Sequence, residues 1–260
     1  MPTATRSKRA RGIERRFERL LHAVNRRLTV DTHNPHGNLE DPLDELVFIV
    51  LSAQTESYLY RQTYRDLRAA YSPWDRLLKA SETEIAAVIR CGGLARKKAS
   101  QLKAALHQIK ETRGTLSLQF LEGLSDTEAF EYLNALPGIG VKSAKCVMMY
   151  SLNRAVFPVD THVWRIARRL GIAPPVAKPS ETQQHDLEER IPKEIRFSLH
   201  VNFVKLGQQQ CTTYFPKCGV CPLSDLCPSN GQPDKVWNDW SQPRGVWAIS
   251  DSRSVRSEAR

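Results

Sequence analysis

The sequence lacks any uninterrupted apolar run of about 18 residues, which is the length that a membrane-spanning helix requires. It also has no short apolar segment of the signal-peptide kind near its start. Strictly alternating apolar positions, which mark a half-buried strand, and internal repeats are missing as well. We therefore expect a soluble, intracellular, all-α protein with no membrane partner. It would belong to the cytoplasm or nucleoid in a bacterium, and to the nucleus or a mitochondrion in a eukaryote.

Negative charge is also in short supply. The 260 residues include 28 Asp and Glu against 38 Lys and Arg, so the formal net charge is +10. This excess favours a polyanionic partner, and it favours nucleic acid over a membrane surface. The length is sufficient to bury a substantial core, either as one large domain or as two smaller ones.

Cysteine is scarce and unevenly distributed. Cys91 and Cys146 stand alone in segments of helical pattern, where a buried and unreactive thiol is expected. The other four lie in the segment CTTYFPKCGVCPLSDLC and are Cys211, Cys218, Cys221 and Cys227. Four thiols this close, without a sign of secretion, predict a metal site rather than disulfides. Zinc and an iron–sulfur cluster both accept four thiolates, and the single C-x-x-C pair favours the cluster without deciding between them.

Apolar residues recur at helical spacing through most of the chain. Phe17, Leu21 and Val24 follow this spacing, and the segment DPLDELVFIVLSAQT predicts a buried helix that ends between residues 52 and 55. Further helical patterns cover three ranges: 61–70, 82–90 and 97–109.

Both ends of the chain lack such a pattern. Residues 1–11 are basic and predict a disordered arm. Residues 231–260 are polar, with three tryptophans but no apolar period, and predict a C-terminal tail.

The segment LPGIGVKSAK, residues 136–145, joins two helical patterns. The first pattern begins at Ser125 and Glu128, whose spacing predicts a capping box, and it ends at Pro137. A second helix is predicted from about Val141. The segment is therefore interpreted as a helix–hairpin–helix.

Two glycines of this hairpin suggest a role for it. Gly138 and Gly140 permit backbone angles that other residues avoid, and they leave amide N–H groups exposed at the start of the second helix. Such a terminus can bind a phosphate, because the helix dipole and the amides both point at the anion. A plain turn between two helices is the alternative interpretation.

Lys142 lies in the first turn of the second helix. A cation is disfavoured at the positive end of a helix dipole, and Lys145 adds repulsion from one turn away. Both effects favour the neutral amine that a nucleophile needs. A solvated surface lysine is the alternative.

A carboxylate that could accompany this lysine occurs in the segment FPVDTHVWRIARRLG. Asp160 follows an X-Pro step and precedes a helical pattern, which predicts a helix N-cap. The cap would fix the direction of the carboxylate, so it is compatible with a catalytic role. His162 is predicted to make a local polar contact or a phosphate contact rather than to act as a base.

These segments, together with LSAQT and the C-x6-C-x2-C-x5-C spacing, occur in the order seen in the endonuclease III family. The chain resembles these DNA glycosylases of the helix–hairpin–helix Gly/Pro-Asp superfamily over about residues 12–230. The resemblance implies two helical lobes with a DNA-binding cleft between them. Residues 35–154 would form a six-helix barrel with the hairpin, and residues 12–34 with 155–230 an iron–sulfur lobe. It also implies a 4Fe–4S cluster on the four cysteines. We expect a monomer that acts on double-stranded DNA with damaged bases or abasic sites.

The resemblance also implies roles for individual residues. Lys142 matches the lysine that attacks the sugar of a damaged pyrimidine nucleotide, and Asp160 matches the aspartate that assists it. The base leaves, a Schiff base forms, and β-elimination nicks the strand, which is base-excision repair with AP lyase activity. Gln54 matches a residue that fills the space of the extruded base, and Leu94 matches an apolar wedge. The remaining predicted DNA contacts are Arg96, Lys97, Lys98, Gly138, Gly140, His162 and Lys217.

Three departures from the family pattern leave the preferred lesion and the strength of lyase activity open. Ser57 stands where an aspartate is common, Asn134 where a glutamate is frequent, and Gly92 where an apolar residue is usual. A monofunctional glycosylase that uses water is therefore one alternative. An adenine-mismatch glycosylase is another, although that class usually lacks a lysine at the Lys142 position. A non-catalytic DNA-binding protein that senses damage or structure through a redox cluster is the third.

Overall fold

The structure is a computed structural model that describes residues 8–28 and 36–231. These residues form eleven α-helices and contain no strand, which confirms the all-α fold class. Among them, no helix is both long and apolar enough to cross a membrane. Residues 1–7 of the predicted arm, and the predicted tail from residue 232 onward, lie outside the described ranges.

The described chain divides into two compact units. The first contains residues 8–28 and 159–231, and the second contains residues 36–158. The second unit therefore ends at residue 158, whereas the sequence analysis placed this boundary at 154.

The second unit contains seven of the helices. They are α2 (Pro42–Ser52), α3 (Ser57–Ala70), α4 (Asp75–Lys79), α5 (Glu82–Val88), α6 (Ala95–Arg113), α7 (Asp126–Asn134) and α8 (Val141–Tyr150). Helix α2 begins at Pro42 because the Asp41 carboxylate accepts bonds from the first free amides, those of Leu43 and Asp44, both at 2.9 Å. Its residues from Pro42 to Leu51 are buried except Asp44, and it packs against α3 and α8. The buried helix predicted for this segment is confirmed.

The first unit contains the remaining four helices. They are α1 (Lys8–Arg27), α9 (Thr161–Arg169), α10 (Glu181–Arg190) and α11 (Arg196–Gln209). Phe17, Leu21 and Val24 of α1 are buried, as their spacing predicted. Because α1 begins at Lys8, the prediction of a disordered arm is wrong for residues 8–11. Helix α11 packs against α9 and α1 and forms the centre of this unit.

Three local predictions, the capping box of α7 and two buried cysteines, have different outcomes. The capping box of α7 is confirmed, since the amide of Glu128 bonds to the Ser125 hydroxyl and the Glu128 carboxylate accepts from the Ser125 amide. Cys146 is buried in α8, as expected. Cys91 is exposed, contrary to expectation, because it lies in a short 3-10 turn between two helices rather than within a helix.

Candidate nucleic-acid interface and metal centre

The hairpin between α7 and α8 is anchored by its own apolar residues. Leu136 and Ile139 are buried, and the amide of Ile139 donates to the carbonyl of Leu136 at 3.0 Å. Gly138 has φ +77°, and a Cβ placed there would lie 2.6 Å from Cγ of Gln101. Glycine is therefore required at this position both by the backbone angle and by the space available. The predicted helix–hairpin–helix is confirmed.

Gly140 plays a different part from the one that the sequence suggested. It is the N-cap of α8 with φ −100° and ψ 176°, extended angles that any residue adopts. A Cβ added at Gly140 would meet no heavy atom within 4 Å. In this part of the described chain no side chain caps the first amides of α8. Gly140 therefore borders open space at the start of α8, and an anion that approached there could bind the uncapped amides.

Lys142 lies in the first turn of α8, half-buried, in the unit of residues 36–158. Burial raises the pKa of two groups nearby, Glu45 on α2 and Tyr60 on α3, and the charge of Lys142 is one of several smaller effects that lower both in part. Burial has the larger effect on both, and it raises the pKa of Glu45 to about 7. Glu45 also accepts hydrogen bonds from the side chain of Asn38 and from the amide of Leu39, the latter at 2.7 Å.

Glu45 is a candidate site residue that sequence reasoning missed. The only signal for it was an acidic residue inside the otherwise apolar segment DELVFIVL. Its side chain is fully buried, which is rare for a carboxylate unless it is paired or hydrogen-bonded.

Asp160 belongs to the unit that contains residues 159–231. Its Oδ1 accepts a hydrogen bond from the amide of Val163 at 2.8 Å, so the predicted N-cap of α9 is confirmed. The guanidinium of Arg165 has its pKa lowered by burial, while the negative charges of Cys211 and Asp160 raise it in part.

His162 is packed closely against α11. A Cβ added at Gly207 would lie 2.6 Å from Cβ of His162, so the two helices can meet there only because this residue is glycine. Nη2 of Arg165 lies 3.0 Å from Nδ1 of His162 and also donates to the carbonyl of Gly207 at 2.8 Å. Nδ1 of His162 is thus occupied within the protein, and only Nε2 is left for the predicted phosphate contact.

Gln54 and Leu94 share an unusual geometry. Both have φ 51°, in the left-handed region that non-glycine residues rarely adopt. Gln54 is exposed just after α2, and the side chain of Leu94 is 48% exposed just before α6. Arg96 and Lys97 follow in the first turn of α6 and are exposed, as a phosphate contact would require.

The prediction that Lys98 contacts DNA is wrong. The residue is 1% exposed, and its ammonium donates to the carbonyl of Leu51 at 2.7 Å, the hydroxyl of Thr55 at 2.6 Å and the carbonyl of Gly92 at 2.8 Å. Burial lowers its pKa to about 8. The run RKK looked uniformly basic, but its third residue falls on the buried face of α6.

The four cysteines of residues 211–227 are half-buried. Burial raises the pKa of Cys221 and of Cys227, and the charges of the neighbouring cysteines raise both further, so the four thiols lie near one another. Burial is the largest effect and raises the pKa of Cys227 to about 11. Across residues 8–28 and 36–231, however, no group of three or more His, Cys, Asp or Glu is arranged to hold a metal ion. The donor set fits an iron–sulfur cluster by its chemistry, and the ligand geometry is not formed.

Arg169 organises this segment. Its guanidinium donates to Sγ of Cys211 at 3.2 Å and to the carbonyls of Thr212 at 2.7 Å and Thr213 at 3.0 Å. Its own carbonyl accepts from Sγ of Cys227 at 3.5 Å. Lys217, the predicted phosphate contact, is exposed in the same segment.

Known proteins share this sequence pattern. Residues 47–193, more than half of the chain, match the family described as HhH-GPD superfamily base excision DNA repair protein. At3g47830 of Arabidopsis thaliana, which is named as a DNA glycosylase, is 39% identical over 181 residues, covering 66% of this chain and 61% of that protein. The chain thus spans less than two thirds of this relative. Endonuclease III of Bacillus subtilis is 29% identical over 205 residues, covering 77% of this chain and 89% of that enzyme.

The fold is also found in a solved structure of a trapped covalent intermediate between endonuclease III and DNA. The TM-score is 0.66 at 24% identity, covering 88% of this chain and 98% of that one. The predicted resemblance to the endonuclease III family is confirmed by the family match and by the Bacillus relative. The chain belongs to the HhH-GPD superfamily of base excision DNA repair proteins.

Proposed function

We propose that the chain is a DNA glycosylase that excises damaged pyrimidines from duplex DNA and then nicks the strand through a covalent intermediate on Lys142. The observation that carries this proposal is the position of Lys142, one residue into a helix that no side chain caps and directly after a glycine, Gly140, that borders open space. Amides at a helix start can fix a DNA phosphate, which would bring the amine beside the sugar–phosphate backbone.

Lys142 would supply the attacking electron pair. Its neutral amine attacks the anomeric carbon of the sugar, a C–N bond forms, and the bond from that carbon to the base breaks. The base departs with the electron pair and takes up a proton. Opening of the sugar ring gives a Schiff base on Lys142, and loss of a proton from C2′ then expels the 3′ phosphate by β-elimination.

Asp160 would stabilise the positive charge that develops on the sugar. Its support is the N-cap bond to Val163, which fixes the direction of the carboxylate before substrate binds. Fixed charges of this kind stabilise a transition state because they need no reorganisation when the reaction occurs.

Gln54 and Leu94 would enter the duplex when the base is extruded. Extrusion costs a few kcal/mol, and it costs less for a damaged, poorly stacked base. Their exposure supports this role, and the exposed Arg96 and Lys97 would contact phosphate nearby.

Cys211, Cys218, Cys221 and Cys227 would hold a 4Fe–4S cluster. When bound, the cluster would cross-link residues 211–227 through iron–thiolate bonds. The support is the donor set itself, four half-buried thiols of which Cys227 lies within the electrostatic reach of the other three. Base excision would need only the residues described above.

Borohydride trapping tests the proposal, because reduction converts a Schiff base into a stable amine. Wild-type protein should be trapped on duplex DNA that carries an oxidised pyrimidine or an abasic site. Lys142→Gln should abolish trapping and excision while leaving DNA binding nearly unchanged, because the phosphate contacts of the hairpin come from backbone amides. Asp160→Asn, which keeps a capping oxygen but removes the charge, should slow excision by orders of magnitude. Lys178→Gln removes an exposed lysine by the same substitution and should behave as wild type.

Three outcomes would contradict parts of the proposal. Cleavage of abasic DNA by Lys142→Gln at the wild-type rate would show that another group is the nucleophile. Excision by wild type without any trapping would favour a monofunctional glycosylase that uses water. Tight DNA binding with neither excision nor trapping would favour a non-catalytic sensor.

A further inference from the structure

Lys98 connects the two loops that carry Gln54 and Leu94. Its ammonium donates to the carbonyl of Leu51 and the hydroxyl of Thr55, on either side of Gln54. Its third bond goes to the carbonyl of Gly92, two residues before Leu94. One buried cation therefore holds both loops at once.

Thr55 closes the same network. Its hydroxyl lies 2.5 Å from the carbonyl of Gly92 and 3.1 Å from the carbonyl of Ala53, and its single proton can be donated to either. It accepts the bond from Lys98 in return. The loop of Gln54 is thus joined to the loop of Leu94 by two routes, one through the ammonium and one directly.

Burying the ammonium of Lys98 costs free energy, which would be unnecessary if the side chain only filled space. All three acceptors of Lys98 are neutral oxygens, and burying a cation among neutral groups is unfavourable compared with burying an apolar side chain. Part of the cost is offset, because the carbonyls of Leu51 and Gly92 lie at the C-terminal ends of a helix and a 3-10 turn, where a cation is favoured.

The backbone around the two loops also needs such support. Gln54 and Leu94 both hold left-handed angles at φ 51°, which persist only where the surroundings enforce them. The bonds to Thr55 and Gly92 restrain the chain directly beside each of these residues.

We propose that Lys98 is a positioning residue that holds Gln54 and Leu94 at a fixed spacing, so that the two side chains enter the duplex as one unit. The proposal rests on the proposed function, which gives these two residues their part in base extrusion. A preformed spacing means that neither loop must be ordered when DNA binds, so less binding free energy is lost. Lys98 itself touches no DNA.

The test uses Lys98→Met, which keeps the length of the side chain and removes its donors. 2-Aminopurine placed beside the lesion reports extrusion by its fluorescence, and the measurements are made in the Lys142→Gln background, so that they do not depend on catalysis. We expect extrusion to fall by about tenfold or more, because small misplacements of positioning groups cost this much. Affinity for undamaged duplex should not change. When Lys142 is retained, the Lys98→Met substitution should lower the rate of single-turnover excision by the same factor.

Lys103→Met is the matched control. Lys103 lies on the same helix, is half-buried, and donates to a single carbonyl, that of Ala80, in a different loop. It should extrude the base as wild type does. Thr55→Val is the second variant, in case Lys98→Met folds poorly, and it should weaken extrusion because it removes the hydroxyl through which the loops are joined.

A double-mutant comparison separates positioning from packing. With Lys98 present, Gln54→Ala and Leu94→Ala should have non-additive effects on extrusion, because the two side chains act as one unit. In the Lys98→Met background their effects should become additive. Unchanged extrusion in folded Lys98→Met, or unchanged coupling, would overturn the proposal while leaving the proposed function intact. Absence of extrusion by wild type on every damaged duplex would overturn both.

Discussion

The hairpin of residues 135–140 and the cysteine segment of residues 211–227 are both irregular, yet they are held by opposite means. The hairpin buries Leu136 and Ile139 beneath a single left-handed glycine, Gly138. It is stabilised by apolar burial and by the packing of the helices on either side.

In the cysteine segment, most of the large apolar side chains, whose burial would normally stabilise such a loop, are exposed. Tyr214, Phe215 and Val220 are 82%, 87% and 72% exposed, and only Leu223 of its apolar side chains other than the cysteines is buried. Its order comes from polar bonds, chiefly those of Arg169 to the backbone and to Cys211. A segment that buries so little apolar surface depends on cross-links, and this is the physical reason to expect a cluster there.

The largest effect is therefore expected from Cys221→Ala, which removes one of the four proposed ligands. Loss of this thiolate should release the iron, bleach a yellow-brown colour and lower solubility, because the segment has little buried apolar surface to replace it. Iron analysis of anaerobically purified wild type should find about four irons per chain. Cys146→Ala is the control, because Cys146 is buried in α8 and is not one of the proposed ligands. This variant should retain the iron of the wild type. Stoichiometric zinc without iron in wild type would contradict the assignment.

The second effect is a pH dependence of stability, and it comes from Glu45 on α2, the helix that packs against α8. Burial raises the pKa of Glu45 from its ordinary value of 4.5 to about 7, so the folded state binds this proton more tightly than the unfolded state does. The free energy of unfolding should consequently fall by about 3 kcal/mol in all as the pH rises from 4.5 through 7. Above the folded-state pKa it should level off. Urea unfolding of wild type and of Glu45→Gln across this pH range measures the fall, since glutamine has no carboxyl group that titrates. Parallel pH profiles would disprove the assignment.

The smallest effect separates the two glycines of the hairpin. Gly138→Ala places a Cβ against Gln101 at a left-handed angle and should cost about 2 kcal/mol of stability. Gly140→Ala meets open space at an extended angle and should cost less than about 1 kcal/mol, the usual difference between glycine and alanine at an N-cap. If the amides of α8 bind phosphate, Gly140→Ala should still weaken DNA binding. Equal losses of stability in both variants would show that the hairpin is not anchored as described.

Sequence reasoning was accurate where a signal was local. It located the hairpin, the capping box and the N-cap at Asp160, and the resemblance to the endonuclease III family is confirmed. It was inaccurate where exposure mattered, at Cys91 and Lys98, because exposure depends on what packs against a residue rather than on its neighbours in the chain. The catalytic and cluster assignments remain predictions that the experiments above address.

By itself, the sequence determined the features whose partners lie within a few residues. Ser125 and Glu128 are three positions apart, and the carboxylate of Asp160 bonds to the amide of Val163, so chain order brings these atoms together wherever the helix forms. Only the tertiary structure decided that Lys98 joins two loops and that Glu45 lies within the electrostatic reach of Lys142. The carbonyl of Leu51 is 47 positions from Lys98 in the chain, and desolvation of a buried charge depends on every element packed around it.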